Sequence, residues 1–97
     1  MAEVELLKKK LTLADFLKQK RSAVGLSQAD VADKFGYSTP QFVSNWERGV
    51  SRPPISVLKK LGELYKVSSE DLFEIVLRET ILEVTRDFKN KFWKSKK

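Results

Sequence analysis

SQADVADKFGYSTPQFVSNWERG, residues 27 to 49, reads as two short helices joined by a tight turn. Ser27 can cap the first helix because its hydroxyl accepts a hydrogen bond from an otherwise orphaned N–H, and Asp30, three residues on, completes a capping box. Gly36 supplies the left-handed residue on which a helix ends. Thr39 is placed to cap the second helix, with Pro40 at its first position, where the missing N–H costs nothing. Val43, Trp46 and Glu47 then share one face, which leaves Gln41, Ser44, Asn45 and Arg48 pointing elsewhere. A short helix with a buried seam and an amide-rich outer face is a candidate reader of base edges.

On the N-terminal side, Thr12 with Asp15 predicts a further helix start, with Leu11 and Phe16 as a hydrophobic staple. That helix is expected to run to about Ala23 and end near Gly25, with Leu13, Leu17, Arg21 and Val24 as its stripe and Phe16 alongside. Arg21 is thus a charge on an apolar stripe, and Glu47 has the same anomaly beside Val43 and Trp46. Each either finds an opposite charge or snorkels to water, because burial without a partner is very costly. Residues 1 to 11 form a lead segment without a strong start signal, although Leu6, Leu7 and Leu11 are apolar.

On the C-terminal side, Arg52 to Pro54 breaks the chain and a proline opens a fourth helix to about Tyr65, buried through Ile55, Leu58, Leu61, Leu64 and Tyr65. Ser68, boxed by Asp71 and stapled by Val67 and Leu72, starts a fifth. After Pro54 only Gly62 interrupts the chain as Gly or Pro, so the last helix is expected to run towards residue 93. Phe73, Leu77, Ile81, Val84, Phe88 and Phe92 make a stripe along it longer than one small domain can cover. It is suited either to a second subunit or to the N-terminal leucines.

Ninety-seven residues make one domain with a modest core. The chain has no cysteine and no histidine, which leaves no disulfide framework, no thiolate chemistry and no obvious zinc site. No metal or other cofactor is expected. Its apolar runs are too short for a membrane span or a secretory signal, so the expected location is the cytoplasm. Nor is there a nucleophile with a base partner or a phosphate-cradling glycine loop, which argues against an enzyme. The net charge of +6 favours a polyanionic partner. Within residues 27 to 52, however, Lys34, Arg48 and Arg52 are balanced by Asp30, Asp33 and Glu47. The excess lies in the last twelve residues, where Arg86, Lys89, Lys91, Lys94, Lys96 and Lys97 face Asp87 alone. That lysine-rich tail reads either as a backbone-binding arm or as a solvated helix end favoured by the helix dipole.

Arg21, GLSQ at 25 to 28, Val31 and Ala32, Gly36, Ser44, WERG at 46 to 49, Pro53, Leu58, Leu61 and VSSEDL at 67 to 72 stand in an ordered set from about Leu13 to Leu72. In that order and spacing they resemble the helix-turn-helix domain of phage repressors and Cro. The resemblance implies an all-α fold of five helices with an extended C-terminal helix. It divides the chain into a lead at 1–11, the helix-turn-helix domain at 12–72 and a helical extension with a basic tail at 73–97. It also implies a DNA-binding transcriptional regulator, expected to be a repressor that binds a palindromic operator as a homodimer. The GYST turn is one residue longer than the usual family turn.

Within the resemblance, the N-terminal end of the third helix enters the major groove. Gln41 and Asn45 are then the expected adenine-type contacts, Ser44 reaches a base or phosphate, and Thr39 and Pro40 offer apolar contact to a thymine methyl. Gln28 is expected to meet a backbone phosphate and to brace Gln41 or Pro40, while Arg48 and Arg52 clamp phosphates, Arg52 being equally readable as a solvated loop charge. Arg21 and Glu47 are expected to pair between the first and third helices. Trp46, facing inward, reads as core. Dimerisation is expected through Phe73, Leu77, Ile81, Val84 and Phe88. The alternative function is a protein-interaction module on the same fold, an antitoxin or an adaptor, with its partner on that last helix.

Overall fold

The computed structural model describes residues 11 to 94; the expectations placed on Leu6, Leu7, Lys96 and Lys97 lie outside that range. The described residues form five α-helices and no strand: α1 Leu13–Ala23, α2 Gln28–Lys34, α3 Gln41–Glu47, α4 Ile55–Leu64 and α5 Ser69–Lys94. The fold is the all-α helix-turn-helix arrangement with a long last helix.

Local chemistry sets where these helices start. Thr12 Oγ1 accepts from Asp15 N at 3.0 Å. Ser27 Oγ accepts from Asp30 N while Ser27 N donates to Asp30 Oδ2, both at 2.9 Å. The Ser27 backbone N–H, with the Ser27 hydroxyl beside it, holds the Asp30 carboxyl below its usual range. Ser68 Oγ accepts from Asp71 N at 3.1 Å. The full capping box is therefore made at Ser27, whereas at Thr12 and Ser68 the described bonds include only the half in which the capping hydroxyl accepts.

Helix ends follow a single pattern. After each of the first four helices one residue takes positive φ: Gly25, Gly36, Lys66 and Gly49. The next residue donates its N–H back to the carbonyl five positions earlier: Leu26 to Arg21, Tyr37 to Ala32, Val50 to Asn45, Val67 to Gly62. This is the Schellman closure, and the returning residue is apolar each time; Leu26, Tyr37 and Val67 pack against the core, whereas Val50 stays exposed. Lys66, with φ 60, holds a place where glycine would be unstrained.

The core draws on all five helices, with Leu17, Val31, Val43, Leu61 and Leu72 among its buried members. Gly62 is buried because α5 passes close: a Cβ there would stand 3.0 Å from Leu72 Cδ2. Ile55 departs from its expected buried place and is 66% exposed. As the first residue of α4 it falls beyond the edge of the core. Beyond Leu72, Ile75 and half-buried Val76, α5 leaves the body, and from Ile81 to Lys94 every residue is exposed.

Candidate nucleic-acid interface

α3 has two faces with opposite chemistry. Inward, Val43 and Trp46 are buried, and so is Glu47, whose side chain is only 3% exposed. Arg21 reaches it from α1: Nε donates to Oε2 at 2.6 Å and Nη2 to Oε1 at 3.0 Å. Arg21 Nη1 donates to the Leu26 carbonyl at 2.7 Å, and Gln28 Nε2 donates to Glu47 Oε1 at 2.9 Å. A carboxylate that accepts three charge-assisted or amide bonds is well compensated for its burial. The bonds to Glu47 raise the Arg21 pKa further above its ordinary value. Burial, aided by the Glu47 charge, pushes the Tyr65 hydroxyl up to about 12.

This cluster corrects one expectation. Gln28 does not brace Gln41 or Pro40; its amide turns inward to Glu47. The amide nitrogen carries two hydrogens, so one N–H remains beyond the bond to Glu47.

Outward, α3 presents a hydrogen-bonded row. Gln41 Nε2 donates to Asn45 Oδ1 at 2.9 Å, and Arg48 Nη2 donates to the same oxygen at 2.7 Å. Arg48 Nε donates to Ser44 Oγ at 3.3 Å. Thr39 Oγ1 accepts from Gln41 N, also at 3.3 Å. Four side chains one turn apart thus hold one another in register along a surface helix. Pro40 stands as the N-cap of α3 and not as its first residue, since its carbonyl accepts the Ser44 N–H at 2.9 Å. Thr39 consequently sits one residue outside the cap.

The turn between α2 and α3 is filled by Tyr37. Its ring stacks on Phe35 with centroids 5.8 Å apart, tilts against Phe42 at 5.1 Å and meets Trp46 edge-on at 6.1 Å. The long turn is thereby pinned to both helices. Sequence reasoning passed over Tyr37 and Phe42; a pair of aromatics inside and just after a turn motif was the signal available. Phe42 matters because it is 55% exposed beside Gln41 and offers an apolar surface on the same short helix.

The structure sets Arg52 apart from this row. Its Nη1 donates to Thr80 Oγ1 at 2.9 Å and its Nη2 to Glu83 Oε1 at 3.0 Å, both on α5. The five residues singled out on α5, Phe73, Leu77, Ile81, Val84 and Phe88, are all exposed, Phe88 at 68%. No helix of the described residues is long and apolar enough to cross a membrane.

A model of the helix-turn-helix family matches residues 17–72, more than half of the chain. No curated protein and no solved structure matches it.

Proposed function

The chain belongs to the helix-turn-helix family, a DNA-binding regulatory family, and from that premise we propose that it is a sequence-specific regulator of transcription that reads double-stranded DNA with α3. The observation that carries the reading is the Gln41, Asn45 and Arg48 row, an ordered amide and guanidinium edge on the exposed face of a helix whose other face is locked into the core. Amides at the start of such a helix suit the donor and acceptor pair of adenine in the major groove. Ser44 lies on the same edge, and Thr39, Pro40 and the exposed ring of Phe42 supply small and apolar surface for a thymine methyl.

Arg48 and the second amide N–H of Gln28 serve the phosphate backbone in this proposal. Arg52 is already held by Thr80 and Glu83, so it reaches a phosphate only by exchanging an exposed ion pair, an interaction worth about 0–1 kcal/mol. The finer assignment is to a repressor that binds a palindromic operator as a homodimer through the exposed stripe of α5. A two-fold protein presents two copies of α3 to two half-sites.

Selection of bound duplexes from a random library tests the proposal, run with the wild-type chain and with Gln41→Ala/Asn45→Ala. The wild type enriches a palindrome and the double variant loses its sequence preference, since each amide contact carries about 1 to 3 kcal/mol of discrimination. Arg48→Ala weakens all sequences alike. A folded wild-type chain that enriches nothing overturns the proposal. That result favours the second reading, a protein-interaction module, which rests on the balanced charge of residues 27–52 and on the apolar length of α5.

A further inference from the structure

The stripe of α5 is symmetric along its own length. Phe73, Leu77, Ile81, Val84, Phe88 and Phe92 are spaced four, four, three, four and four, an order that reads the same in both directions. Its midpoint lies between Ile81 and Val84. We propose that α5 pairs with α5 of a second copy in antiparallel orientation, about a two-fold axis through that midpoint. The inference rests on the homodimer reading above and adds the geometry of the pair.

In that register Ile81 of each copy meets Val84 of the other, Leu77 meets Phe88, and Phe73 meets Phe92. Every apolar residue finds an apolar counterpart in one isologous contact.

The stripe alone also permits a parallel pair, and charge decides between the two. The proximal part of α5 carries Glu70, Asp71 and Glu74, and the distal part carries Lys89, Lys91 and Lys94. Antiparallel pairing lays each acidic end along the other copy's basic end. Parallel pairing lays like on like, which is destabilising. Beside Phe73 the stripe also runs into an apolar groove of about 290 Å³ between α4 and α5, lined by Ile55, Leu58, Gly62, Leu72 and Val76. This groove seats the Phe92 end of the second helix. With a rise of 1.5 Å per residue, the two Leu72 anchors stand about 30 Å apart along the helices, of the order of the ~34 Å between successive half-sites on one side of a duplex.

Cysteine cross-linking on the full chain tests the orientation, since the chain contains no cysteine of its own. Leu77→Cys and Phe88→Cys, mixed and mildly oxidised, are expected to give a disulfide between the two variants, while neither alone links to itself. A disulfide needs Cα atoms within about 7 Å, and equivalent positions in the antiparallel pair are about 16 Å apart along the helices. A second measurement spares the stripe. Glu70→Lys/Glu74→Lys and Lys89→Glu/Lys91→Glu should each weaken dimerisation about tenfold or more, and carrying both in one chain should restore it. Sedimentation equilibrium gives the reference. A monomer at every concentration overturns the homodimer reading and this inference together. A dimer whose single-cysteine variants link to themselves, or whose affinity ignores both charge reversals, overturns the antiparallel arrangement alone.

Discussion

The body of the molecule and the distal half of α5 are both helical, for opposite reasons. α2 and α3 are seven residues each, far too short to persist alone in water. They exist because Val31, Val43 and Trp46 are buried against their neighbours, because Ser27 caps α2, and because Schellman closures satisfy the C-terminal ends of both. From Ile81 onwards α5 has no such burial. What supports it locally is charge layout, with Lys91 and Lys94 in the last turn favourable to the helix dipole. The body directs most of its apolar side chains inward and the amides of α3 outward; distal α5 shows its apolar side chains to the outside. Stability in the first is a property of one chain. In the second, under the proposed pairing, it comes from a second copy.

The sharpest way to break this contrast is at the buried pair. Glu47→Ala leaves the Arg21 guanidinium buried without its carboxylate, which should cost about 3–5 kcal/mol in urea unfolding, a large part of a small domain's total. Arg21→Met/Glu47→Leu together should recover most of that loss, because replacing a buried pair with apolar groups is often close to neutral.

Next comes Tyr65, whose folded pKa stands near 12 against an ordinary value near 10. The raised value means that the folded state favours the neutral hydroxyl. Its contribution is complete below pH 10, falls as pH rises from 10 to 12, and amounts to about 2–3 kcal/mol. Tyr65→Phe should remove that part of the alkaline decline when the two proteins are titrated side by side.

Lys66→Gly relieves a left-handed residue at the end of α4 and should raise stability by about 1 kcal/mol. Smallest of all is removal of residues 81–97. The truncated body should unfold within about 0.5 kcal/mol of the full chain when both are compared as dilute monomers. The concentration dependence of Tm expected of a dimer should disappear with the tail. A loss of several kcal/mol from the truncation would erase the distinction between the two regions.

Much of the fold was legible because its signals are local. Thr12, Ser27 and Ser68 announce helix starts within four residues, and Gly25, Gly36 and Gly49 announce ends. Lys66 does the same work without glycine, so sequence could not mark it. Ile55 was misplaced because periodicity assigns a face but not how far along a helix the core extends.

The site was legible as a face and illegible as a set of bonds. Pattern put Gln41, Ser44, Asn45 and Arg48 together, yet it could not show that one oxygen of Asn45 would receive two of its neighbours. Gln28 was read towards DNA and Arg52 either towards a phosphate or as a solvated loop charge, and neither reading named the partners they have in the structure, Glu47 for Gln28 and Thr80 and Glu83 for Arg52. Their partners lie 19, 28 and 31 residues away in sequence, where only the folded chain decides who is near.

That placement of Arg52 carries a thermodynamic corollary. It stands four residues beyond Arg48, the C-cap of α3, and grips Thr80 and Glu83 where α5 leaves the body. If occupation of α5 tightens or loosens this grip and thereby changes affinity at α3 by some factor, occupation of α3 must change affinity at α5 by the same factor. Operator and subunit would then act as each other's effectors, and the conduit between them would be a single arginine side chain at the surface.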